Sequence, residues 1–141
     1  MSLQASKFCL WRHKQRRSNL TFVALPNDAI PKEEIEKIET IFENSFNIST
    51  ITKIEVLGWH KITENEKDTI EAFLNNAKVF YIDKVIENKA IEIKQSYKMA
   101  TPDTIIGATA LENDLIIVTR NENNFKRLED IKIYNPFKSS L

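Results

Sequence analysis

The run Leu115-Ile116-Ile117-Val118-Thr119 constrains the fold more than any other stretch of the chain. It is continuously apolar up to its last residue and bounded by polar residues on both sides. A strand without polar alternation is one buried on both faces, the mark of a parallel sheet covered by helices. Parallel neighbours need long crossover connections, usually helical. The rest of the chain supplies them. Ile35, Ile38, Ile41 and Phe42 recur at helical spacing after Pro31, which predicts a helix over about 32–44. Further helices are expected at about 53–61, at 64–77 with Ile70, Phe73 and Leu74 inward, at 83–98, and from Thr101 to near Asn113. A short helix is expected at 122–128. Strands are expected at Leu20–Leu25, Phe46–Thr52, Leu115–Thr119 and 131–134, while Val79–Ile82 reads as extended or as the approach to the next helix. The alternation predicts a layered α/β domain with a mostly parallel sheet.

With 141 residues, the chain is long enough for one domain with a real core and too short for two. No run approaches the ~20 apolar residues that span a bilayer, so no membrane segment is expected. Nor is a secretion leader. Cys9 is the single cysteine, which rules out an intrachain disulfide and suits a cytoplasmic protein. The twenty basic and twenty acidic side chains balance overall but not locally. Residues 1–27 hold Lys7, Arg12, Lys14, Arg16 and Arg17 and no acid, so the remainder carries five more acids than bases. Such a basic arm can displace counterions from nucleic-acid phosphates, or it can be a solvated tail. Arg12, Arg16 and Arg17 are its candidate RNA contacts, and Trp11 could stack on a base or simply be buried.

In sheets of this kind ligands gather beyond the carboxyl ends of the strands. Three segments there carry polar groups: Thr52-Lys53-Ile54-Glu55, Thr101-Pro102-Asp103 and Thr119-Arg120-Asn121-Glu122. Carboxylates converging on one edge repel each other unless a cation lies between them. Hard oxygen donors suit Mg²⁺ or Mn²⁺, ions that ready a water and neutralise charge on a phosphodiester. Each segment also has a purely structural reading. Thr52-x-x-Glu55 and Thr119-x-x-Glu122 have the spacing of capping boxes, and Thr101-Pro102-Asp103 has the form of an ordinary helix start.

At the same residues the chain resembles a known family, the PIN domains, and within it the VapC-type toxins. Ile48 to Gly58, read as ISTITKIEVLG, is similar to the family segment bearing its second metal-binding acid. Pro102 to Ala110 resembles the helix start bearing the third. LIIVTRNENNF, from Leu115 to Phe125, resembles the strand and loop with the fourth polar group, and Ile133 to Phe137 the closing strand. Four blocks in family order span about 110 residues, from Asp28 to Phe137. The resemblance implies a three-layer α/β/α fold, with residues 28–141 as the domain and 1–27 as a divergent basic segment. It also implies a metal-dependent endoribonuclease, a homodimer and a VapB-like antitoxin partner. Carried over, Glu55 and Asp103 would be metal ligands, Asn121 would hold the fourth position, and Thr119 would orient that loop. Asn124 stands where many such toxins have Asp. The family's opening Asp-Thr/Ser-Asn turn, which bears the first ligand, has no counterpart here. Asp28 is the nearest acid that could take its place.

No serine or cysteine stands in a nucleophile motif, and His13 and His60 are the only histidines. His60, expected on a helix after Trp59, reads as a packing or surface residue. Phe73, Phe80 and Tyr81 are expected in the core. Two functions follow from different classes: a metal-dependent endoribonuclease acting on single-stranded or structured RNA, and a degenerate PIN module that binds RNA or a protein without cutting.

Overall fold

A computed structural model describes residues 8–12, 19–20, 47–58, 60–119 and 122–135. Within them the chain runs β1 (Phe8–Arg12), β2 (Asn19–Leu20), β3 (Asn47–Ser49), α1 (Thr50–Leu57), α2 (Glu64–Leu74), β4 (Lys78–Phe80), α3 (Lys84–Ser96), α4 (Thr101–Glu112), β5 (Ile116–Thr119) and β6 (Lys132–Tyr134). A 3₁₀ turn at Glu122–Asn124 stands where a short helix was expected. The expected helix at 32–44 and most of the strand at Leu20–Leu25 lie outside the described residues.

The sheet order is β4-β3-β1-β5-β6, with β2 pairing onto β1. β3 pairs β4 in parallel, and β5 pairs β6 in parallel. β1 is antiparallel to β2, β3 and β5. Five described strands therefore point one way and β1 alone points the other, so the expectation of a mostly parallel sheet holds. The placement of β1 was not legible. Phe-Cys-Leu-Trp-Arg carries no clear two-residue alternation, and its position follows from pairing with Ile116–Thr119 and Asn47.

All four residues of β5 and all three of β3 are buried. Successive strand residues point to opposite faces, so both faces of these strands are covered, the layered arrangement expected. The core joins Ile48, Ile117 and Val118 of the sheet to Val56, Ile86, Ile93 and Ile106 of the helices, with Phe125 and Leu128 beneath the loop after β5. Gly107 sets the approach of that loop to α4. A Cβ there would lie 2.7 Å from Leu128 Cδ1.

Local chemistry explains the helix bounds. Ser49 caps α1 by accepting from the Ile51 N–H at 3.1 Å. Thr63 and Glu66 form a reciprocal capping box before α2, at 3.0 and 3.1 Å. Asp83 caps α3, accepting from the Ile86 N–H at 2.8 Å. At the far end of α4, Asp114 takes a left-handed conformation with φ 53°, and the Leu115 N–H donates to Ala110 O across it.

Three sequence expectations are corrected. The helix after β3 starts at Thr50 rather than Lys53, because Ser49 supplies the cap and the β-branched residues Thr50 to Thr52 fold into the helix's first turn. It ends at Leu57, where the Gly58 N–H donates to Ile54 O at 2.7 Å, so His60 lies beyond the helix and is exposed. Tyr81 is 65% exposed rather than in the core. It follows β4, which lies at the end of the described sheet. Phe80 does pack against the core.

Candidate metal centre

The strand directions decide which groups share an edge. β3, β5 and β6 point the same way, so Ser49, Thr119 and Tyr134 end at one edge of the sheet. α4 returns to β5 through the short link Asn113–Leu115, so it runs against the strands and its first turn, with Asp103, lies toward that edge. α1 leaves the same edge after Ser49. Glu55 is five residues along it, ~7.5 Å of helix rise from Thr50. α1 and α4 pack against each other. The two acids thus come from two neighbouring helices, one near its start and one a turn and a half along.

Their local roles differ from the capping readings. Thr52 is buried inside α1, so it caps nothing, and Glu55 is a helix-interior residue. Thr101 does not cap α4 either: Ala100 is the N-cap and makes no side-chain cap bond, with a proline in the first turn. Asp103 sits half-buried in that turn, and burial raises its pKa above the ordinary carboxylate value. Among the described residues no hydrogen bond or ion pair engages the Asp103 carboxylate. Glu55 is also half-buried, and its Oε1 is shielded from solvent.

Thr119 ends β5 fully buried, at 1% exposure. Glu122, read from sequence only as a capping partner, instead accepts a 2.8 Å hydrogen bond from Asn135 Nδ2. That bond ties the loop after β5 to the end of β6, a link the Asn135-Pro136 ending did not disclose. Asn124 is exposed on the 3₁₀ turn. Asn121, Asp28, Arg16 and Arg17 lie outside the described residues. Arg12 ends β1 opposite Asn19, beyond the Trp11–Ile116 pair, whereas Phe8 stands opposite Thr119. Its backbone is therefore four residues, ~13 Å, from the acid-bearing edge.

No group of three His, Cys, Asp or Glu gathers among the described residues. The donor set there is two half-buried carboxylates on adjoining helices. Mg²⁺ is commonly held by one or two carboxylates plus waters and substrate phosphate, and both side chains are donors of that type. Burial disfavours a bare negative charge at Asp103, and a cation would reverse that bias. No described helix is long and apolar enough to cross a membrane.

Comparison with known proteins accords with this geometry. The PIN domain family matches residues 26–131. No curated protein matches the chain in sequence. Among solved structures, a toxin–antitoxin complex from Klebsiella pneumoniae aligns with a TM-score of 0.63 at 25% identity, covering 77% of this chain and 88% of that one. DNA-bound VapBC from Salmonella typhimurium aligns at 0.63 and 23% identity, covering 74% and 84%. FitAcB from Neisseria gonorrhoeae aligns at 0.63 and 20% identity, covering 77% and 88%. The chain belongs to the PIN domain family, and the VapC-type resemblance of its motifs is supported by the toxin–antitoxin assemblies among its structural neighbours.

Proposed function

We propose that the chain is a metal-dependent endoribonuclease, the toxin of a toxin–antitoxin pair, with Glu55 and Asp103 holding Mg²⁺ or Mn²⁺. The observation that carries this reading is the Asp103 carboxylate: half-buried, raised in pKa by burial, and engaged by no hydrogen bond among the described residues. A first-turn acid that neither caps its helix nor pairs is kept at a cost, and a cation removes that cost.

When bound, the ion would lower the pKa of a water and neutralise charge on the scissile phosphate. Glu55 and Asp103 would fix its place from two packed helices. Thr119 would hold the loop carrying Asn121, and the Glu122–Asn135 bond would brace that loop from below. The RNA strand would lie along this edge, with Arg16 and Arg17 of the basic arm as phosphate contacts, while Arg12 stands toward the opposite edge of the sheet. An antitoxin-type protein partner and a cytoplasmic site of action belong to the same reading.

A second reading, a PIN module that binds without cutting, is favoured by one sequence fact: the family's opening Asp turn is missing. Labelled single-stranded RNA incubated with the protein and Mg²⁺ or Mn²⁺ decides between the two. Metal-dependent cleavage lost in both Glu55→Ala and Asp103→Ala supports the nuclease. A well-folded protein that leaves the RNA intact at high concentration with either ion supports the binding module.

A further inference from the structure

The link between α3 and α4, residues 97–100, ends three residues before Asp103. Its last three carbonyls are each taken by a different side chain. Arg127 Nη2 donates to Lys98 O at 2.7 Å, Lys94 Nζ to Met99 O at 2.9 Å, and Thr104 Oγ1 to Ala100 O at 2.9 Å. The Thr104 N–H reaches the same Ala100 O at 3.0 Å. Met99 is buried between exposed Lys98 and Ala100. A short surface link ordinarily leaves such carbonyls to water. Lys94 and Thr104 belong to the two helices that the link joins. Arg127 lies 29 residues beyond Lys98, on the loop that follows β5. That loop is itself held in place. Phe125 and Leu128 are buried against α4 at Gly107. The N–H groups of Phe125 and Lys126 donate to Glu122 O, and that of Leu128 to Phe125 O, each at 2.9 Å.

We infer that Arg127 is a positioning residue for Asp103, fixing the start of α4 against the loop after β5. Asp103 comes one residue before Thr104, whose two bonds to Ala100 O carry the placement of the link into the first turn of α4. A guanidinium on a carbonyl makes a charge-assisted hydrogen bond, stronger than a neutral one. At an exposed site it adds little to the stability of the whole chain. Its effect is local. Two segments far apart in sequence, each carrying polar groups of the candidate site, are held in one relation. What the placement serves rests on the metal-holding role proposed for Asp103; the placement itself does not.

Three variants of the full chain test it. Arg127→Met keeps much of the side chain's reach but removes its donors and charge. Arg127→Lys keeps a charged donor, and Lys126→Met removes the neighbouring exposed charge. Amide hydrogen exchange is read at Thr104 and, for reference, at Val118 of β5. Arg127→Met should speed exchange at Thr104 about tenfold, the scale of one charged hydrogen bond, and leave Val118 within about twofold. Mn²⁺ binding to the RNA-free protein should weaken about tenfold in Arg127→Met, as for a residue that orients a ligand without being one, and by less than about threefold in Arg127→Lys and Lys126→Met. Unchanged exchange at Thr104 in Arg127→Met overturns the inference. So does Mn²⁺ binding that falls equally in Arg127→Met and Lys126→Met, the mark of a general charge effect. A parent chain that binds no Mn²⁺ sinks the proposed metal role of Asp103, while faster Thr104 exchange in Arg127→Met still upholds the placement.

Discussion

Asp83 and Asp103 stand at the starts of consecutive helices and behave oppositely. Asp83 precedes α3 and is exposed, and its side chain accepts from the Ile86 N–H at 2.8 Å, an ordinary cap. Asp103 lies inside the first turn of α4, half-buried, while Ala100 holds the cap position without a side-chain bond. One aspartate has spent its acceptor capacity on backbone, and the other has kept it. The lesson is that an acid at a helix start is informative only once its hydrogen bonds are known. The sequence places each acid at a helix start but does not give its hydrogen bonds.

The largest way to break this contrast is to remove each acid in turn. Asp103→Ala should lower metal-dependent RNA cleavage by at least about a hundredfold, the scale of losing one electrostatic stabiliser of a transition state. Asp83→Ala should leave cleavage unchanged but cost about 1 kcal/mol of stability, read from denaturant midpoints. Equal cleavage losses in the two variants would erase the distinction. Next in size is giving α4 the cap it lacks. Ala100 is already in the extended conformation of a cap, so Ala100→Ser should stabilise the fold by roughly 0.5–1 kcal/mol.

A smaller effect follows from pH. The raised pKa of Asp103 means that the folded chain holds this proton more tightly than the unfolded chain. Stability from this group is therefore highest below the unfolded carboxylate range and falls as pH rises through the folded value. Without metal, Asp103→Asn should raise the melting temperature at neutral pH by about 1–2 °C, and the gain should vanish in acid. Mg²⁺ or Mn²⁺ should raise the melting temperature of the parent and do so less for Asp103→Asn. Smallest of all, Asp114→Gly relieves a left-handed φ of 53° but loses the 2.8 Å pair with Lys132. A gain within about 0.5 kcal/mol is expected, since both charges of that pair are half-exposed.

The fold was legible where the pattern was long or extreme. β5 announced itself through five consecutive residues without alternation, α3 through its period, and α4 through its Thr101-Pro102 start. The end of β3 was not, because only Asn47–Ser49 pair and Thr50-Ile51-Thr52, strand formers by propensity, enter the helix once Ser49 caps it. The capping readings of Thr52 and Thr101 failed for the same reason: a cap depends on where the helix starts, and each helix starts earlier than its threonine suggested or at it. For the candidate site, the family motifs singled out Glu55 and Asp103, but only the packing of α1 on α4 relates them. Glu122 was passed over because its partner Asn135 is thirteen residues away in the chain.

The reversed direction of β1 has a practical consequence. Phe8 stands opposite Thr119, and Asn135 follows Tyr134 at the end of β6. The described chain thus enters the sheet and leaves it at the edge that carries the acids. A bulky fusion attached near either point competes for the space an RNA strand would need. The turn at Asn75–Ala77, which leads into β4 opposite Asn47, lies at the other edge. A fluorophore at the exposed Asn75 would report binding without standing in its way.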